Sequence, residues 1–145
     1  IGYGDEEENI KKLVEELDLT SQVMFFKDIS EDLKNALVAK SDIFVMPSTI
    51  YKSSVEGFGI AYLEAAYYGI PSIASNIGGT PEAVIHNETG IIISDMSELY
   101  NSLKELLSNK SKLNELGQKA KLRAAHSPCF LQLQGQCFSH QVQVI

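Results

Sequence analysis

Apolar and polar positions follow two rhythms along this chain, one helical and one of short continuous runs. Residues 6–17 place Ile10, Leu13, Val14 and Leu17 at the i, i+3, i+4, i+7 spacing of an amphipathic helix. SQVMFF follows as a short apolar run, and DIS leads into a second helix over residues 31–40, with Ser30 suited to its N-cap. DIFVMP reads as a buried strand ended by Pro47. Residues 59–68 read as a helix stopped by Gly69 and Pro71. PSIAS is a second strand, TPEAV opens a helical turn with Pro81 in its first turn, and TGIIIS is a third strand. Two further helices occupy residues 96–108 and 110–123.

Strand and helix therefore alternate, and the strands are apolar on both faces. That combination predicts an α/β fold, a doubly wound, Rossmann-like parallel sheet with helices on both sides. No internal repeat interrupts it. IGYG at the start reads as the end of a strand running into a glycine turn, so the sheet is expected to be incomplete at its N-terminus. Composition changes after Arg123: residues 124–145 contain no Asp, Glu, Lys or Arg and five glutamines. The expected organisation is a partial domain over 1–123 followed by an atypical uncharged tail over 124–145.

The formal charge of −7 argues against non-specific attraction to nucleic acid, so no nucleic-acid partner is expected. No apolar run approaches the roughly 20 residues of a membrane span. The acidic start IGYGDEEEN is unlike a secretory signal. Two cysteines, Cys129 and Cys137, lie in the tail without a CxxC spacing. A cytoplasmic protein with reduced thiols is the expectation.

One stretch raises a chemical question. VEGFGIAYLE, residues 55–64, places Gly57 and Gly59 where a helix begins, which costs helix propensity unless the backbone has another task. In a doubly wound sheet ligands bind outside the carboxyl ends of the strands, and this loop follows such an end. A helix start carries unpaired N–H groups and the positive end of the macrodipole, which favour an anion such as a diphosphate. Glycines would let that backbone approach the ligand. Glu56 and Glu64 stand eight residues apart, about 80° around an ideal helix, so two separate contacts are more natural than an acid/base pair. Glu64 is placed to grip a ribose diol and Glu56 to face the group beyond the diphosphate; solvated helix charges are the plainer alternative.

Residues 47–90, PSTIYKSSVEGFGIAYLEAAYYGIPSIASNIGGTPEAVIHNETG, resemble the donor-binding domain of retaining GT-B glycosyltransferases of the E-x(7)-E family, the glycosyl transferases group 1. PS after the strand, EGFG, YLEAAYYGIPSIAS, the GGTPE turn and the later TG carry the likeness, which extends more weakly across residues 1–123. The form VEGFGIAYLEA looks most like the mannosyltransferase-type branch. The resemblance implies half of a GT-B fold and transfer of a sugar from a nucleotide-diphosphate sugar to a glycan or lipid acceptor with retention. It implies that Glu56 is catalytic, contacting the donor sugar near the reacting carbon. It implies donor binding by the backbone of Phe58, Gly59 and Ile60 and by Glu64, which would hold the ribose. No cofactor and no metal are implied, the substrate being the nucleotide sugar itself. The missing partner would be an N-terminal acceptor domain, with room for peripheral membrane association of the full enzyme. The isolated chain is expected to bind donor weakly and to be inactive, and to associate or dissolve poorly.

Other residues have plainer readings. Gly78, Gly79 and Pro81 shape a turn and helix start, Lys27 and Lys52 read as solvated charges sooner than as contacts to base or phosphate, and His86 reads as a surface residue. A non-catalytic remnant, or a nucleotide-sugar-binding module needing a partner domain, is the alternative function. A phosphorylatable flavodoxin-like regulator fits worse, because Asp42 begins its strand instead of ending it.

Overall fold

A computed structural model describes residues 1, 4–48 and 59–127. Among these residues, six helices and three strands run in the order α1 (Glu7–Glu16), α2 (Glu31–Lys40), β1 (Phe44–Met46), α3 (Ile60–Tyr67), β2 (Ser72–Ser75), α4 (Thr80–Ala83), β3 (Gly90–Ile93), α5 (Ser97–Ser108) and α6 (Lys110–Ala125). The strands form one parallel sheet in the order β1-β2-β3, with Val45 beside Ile73 and Ile73 beside Ile91. The α/β architecture expected from the alternation is present.

Successive strand residues point to opposite faces, so each face collects its own core. Met46, Ala74 and Ile92 meet Tyr62 and Leu63 of α3 and Ala83 of α4 on one side. Val45, Ile73, Ile91 and Ile93 meet Leu106 of α5 and Leu116 of α6 on the other. Farther along α6, Ala120 and Ala124 pack against Ala66 of α3. The two helices come close enough there that a Cβ on Gly117 would stand 2.2 Å from the carbonyl oxygen of Gly69. Gly69 itself ends α3 in the left-handed region, φ 78°, which releases the chain toward Pro71 and β2.

Helix ends agree with the predicted ones to within two residues. Ser30 Oγ accepts from Leu33 N–H at 3.3 Å, so it caps α2 as its position suggested. The apolar SQVMFF run forms no strand. A strand exists through its ladder, and no described neighbour pairs with this run; Met24 is 75% exposed. Helix α6 continues through Ala125, two residues past the expected boundary at 123. The tail from residue 128, with Cys129 and Cys137, lies outside the described residues, as do residues 2–3 of IGYG.

Candidate functional site

The site is built at the carboxyl end of β1. Helix α3 starts there, and the Tyr62 hydroxyl donates to the carbonyl of Met46, the last residue of β1. Tyr62 also meets Phe44 edge-on, with ring centroids 5.8 Å apart. Two contacts from one buried aromatic therefore pin the first turn of α3 to the strand end.

Gly59 is the residue before that turn, with φ 74° and ψ 54°. Its carbonyl accepts from Tyr62 N–H at 3.0 Å, and no side chain caps the helix start among the described residues. The glycine has a local cause. A left-handed φ suits a residue without Cβ, and a Cβ here would lie 2.5 Å from the Tyr62 ring. A Cβ on Gly59 would thus fall against its own helix, a packing reason for the glycine beside the one the sequence suggested. Ile60, the first residue of α3, is half-buried. Glu56, Gly57, Phe58 and Lys52 lie outside the described residues.

Glu64 departs from the reading of a solvated helix charge. It is only 7% exposed, flanked by buried Leu63 and Ala65. Its Oε2 accepts from Lys34 Nζ at 3.3 Å, and the same ammonium lies 2.8 Å from Glu31 Oε2. Lys34 is 6% exposed. Burial works against its charged form, but the hydrogen bond to Glu31 and the charges of Glu64 and Glu31 outweigh it and hold the ammonium above the ordinary lysine value. Helix α2 runs from its Ser30 cap toward Asp42 and the amino end of β1, so its first turn stands at the same end of the sheet as the start of α3. That placement lets a lysine thirty positions away reach Glu64.

Lys34 and Glu31 were not singled out from the sequence. A lysine three residues after a glutamate is routine on an exposed helix, and nothing in EDLKNALVAK marks one as buried. Lys27 pairs with Glu7 at 3.4 Å with its side chain half exposed, as a surface charge. Gly78 adopts φ 58° and Pro81 opens α4, so the GGTPE segment shapes a turn as expected. His86 is exposed, and its Nδ1 accepts from Ile92 N–H at 3.0 Å. Asp42 stands before β1, at the amino end of the sheet.

The site thus holds a buried carboxylate one turn into a helix that opens at a strand's carboxyl end. The family model of glycosyl transferases group 1 matches residues 1–123. The chain belongs to that family. This chain is 34% identical over 121 residues to a GDP-mannose-dependent alpha-(1-6)-phosphatidylinositol monomannoside mannosyltransferase of Mycobacterium tuberculosis, covering 81% of this chain and 31% of that protein. Among solved structures it resembles sucrose-phosphate synthase from Thermosynechococcus elongatus, with a TM-score of 0.75 and 28% identity over 92% of this chain and 33% of that one. It also shares its fold with HepE of Anabaena, solved in complex with UDP-glucose, with a TM-score of 0.74 and 22% identity over 92% and 36% of the two chains. The chain spans about a third of the length of these relatives. Its sheet and helices are those of the Rossmann-like C-terminal domain of GT-B enzymes. Among the described residues no helix is long and apolar enough to cross a membrane.

Proposed function

We propose that this chain carries the donor-binding part of an enzyme that moves a sugar from a nucleotide-diphosphate sugar to a glycan or lipid acceptor, with retention at the anomeric carbon. The observation that carries the reading is Glu64: a carboxylate buried beside the carboxyl end of the sheet, paired with Lys34, on a helix whose start no side chain caps among the described residues. Burying a carboxylate for stability alone is a poor solution, since an apolar pair of equal volume commonly does as well. A ribose diol is a ligand such a group suits, because an ionised carboxylate accepts two hydroxyl donors at once.

In this reading the diphosphate sits at the start of α3, where Phe58, Gly59 and Ile60 present backbone N–H groups and the helix dipole favours the developing negative charge. Glu56 faces the sugar as the C1–oxygen bond to the diphosphate breaks, the acceptor oxygen bonds to C1, and the acceptor hydroxyl's proton passes to the departing diphosphate. The helix start does the work that a metal ion does in other transferases, and no cofactor takes part. The acceptor is held by an N-terminal domain, and the complete enzyme meets membrane-bound acceptors peripherally. Support comes from the GDP-mannose dependence in the name of the mycobacterial relative and from the UDP-glucose in the structure of HepE.

Titration of GDP-mannose and UDP-glucose onto the purified chain tests the site. The parent is expected to bind weakly, and Glu64→Ala to bind about tenfold more weakly still, the loss of charge-assisted hydrogen bonds to a hydroxyl pair. Equal affinity in both proteins, or no binding at millimolar ligand, would remove the donor site.

A further inference from the structure

Lys34 has features that a plain brace between helices does not need. Long cationic side chains ordinarily extend their charged end into water, yet the Lys34 side chain is 8% exposed, as is that of Glu64. Its ammonium is held from two sides, by Glu31 Oε2 at 2.8 Å within α2 and by Glu64 Oε2 at 3.3 Å across to α3. Glu31 is itself about half exposed, so it works as the outer anchor of a chain that ends on the buried carboxylate. All three groups lie at the end of the sheet where β1 delivers the chain to α3.

We infer that Lys34 is a positioning residue for the nucleotide's ribose: its ammonium pairs with the Glu64 carboxylate and holds it in one rotamer, so that the carboxylate meets the ribose hydroxyls already oriented. The inference rests on the ribose role proposed for Glu64. A glutamate side chain has three rotatable bonds, and fixing them before the ligand arrives removes that ordering cost from binding. A carboxylate has about four lone-pair positions, so an ammonium on Oε2 is compatible with a diol approaching the same group. Ionisation matters as much as orientation. A protonated carboxyl would present one donor, whereas the two ribose hydroxyls call for acceptors.

The experiment compares uridine and guanosine 5′-diphosphate with their 2′,3′-dideoxy analogues, titrated onto the 145-residue chain. The parent is expected to prefer the ribonucleotide by about tenfold, the worth of a charge-assisted hydrogen bond. Lys34→Met is expected to reduce that preference to about twofold or less while leaving the affinity for the dideoxy analogue unchanged. If Lys34 only braced α2 against α3, the variant would weaken both nucleotides together and keep the preference, which overturns the inference. Should Lys34→Met fail to melt cooperatively, the parent labelled with carbon-13 at lysine Cε supplies the same information. The Lys34 resonance is expected to move on adding the ribonucleotide and to stay in place with the dideoxy form; an equal response to both overturns the inference. A parent that binds both forms equally, or neither, removes the donor reading itself and the Lys34 role with it. A parent preference that survives Lys34→Met removes the Lys34 role alone.

Discussion

Gly59 shows how little space separates the site's backbone from its supporting side chain. Its left-handed conformation and the Tyr62 ring 2.5 Å from a built Cβ act in the same direction. Gly59→Ala is expected to destabilise the chain by about 2 kcal/mol or more, from the left-handed strain of a non-glycine residue and the displacement of a packed ring. Chemical denaturation checks this; an unchanged midpoint would mean that the first turn of α3 can move away without loss. The same displacement would pull Tyr62 from the Met46 carbonyl, so the variant reports on the coupling between helix start and strand end. Glu64 and Lys34 are coupled in a different way, through charge, and a change in either one removes a charge partner from a buried group.

Helices α2 and α3 are joined by that pair, and its proton linkage can be read from stability. The Lys34 value in the fold lies above the ordinary 10.5 because Glu31 and Glu64 outweigh the burial that opposes its charge. A raised value means that the stabilisation is complete below the ordinary lysine value and disappears as pH rises through the folded one. The melting temperature of the parent is therefore expected to fall on going from about pH 9 to about pH 11.5, and that fall to be smaller in Lys34→Met. Equal losses in the two proteins would show that Lys34 titrates as it does in the unfolded chain. The junction of α3 and α6 rests on a different device, the close approach of Gly117 to the Gly69 carbonyl, where a methyl group has no room.

At the scale of the molecule, the described strands and helices leave several large apolar side chains exposed. Ile10, Leu13 and Leu17, the stripe that predicted α1, are exposed together with Met24 and Phe25 of the unpaired apolar run. The chain is expected to self-associate, since large apolar side chains left in water favour association. Sizing chromatography checks the expectation across a concentration series, and Leu13→Lys with Leu17→Lys is expected to shift the elution toward monomer. A single monomer peak with cooperative melting in the parent would contradict it.

The alternation of short apolar runs with helical stripes was enough to determine the layered parallel sheet, because side-chain period and burial on both faces are local properties of the chain. The same holds for the Ser30 cap, the Gly69 stop and the turn at Gly78, where a residue's own backbone preferences decide the outcome. The VEGFGIAYLE stretch placed Gly59, Ile60 and Glu64 at the carboxyl end of a strand for the same reason. Three features depended on elements distant in sequence. SQVMFF pairs with no strand among the described residues, and a strand needs a neighbour. Gly59 turned its bare side toward Tyr62 because that ring is drawn down onto Met46 and Phe44. Lys34 became the partner of Glu64 only when the fold brought its side chain within reach of α3, and a charge pair across thirty residues leaves no mark in the local pattern of either helix.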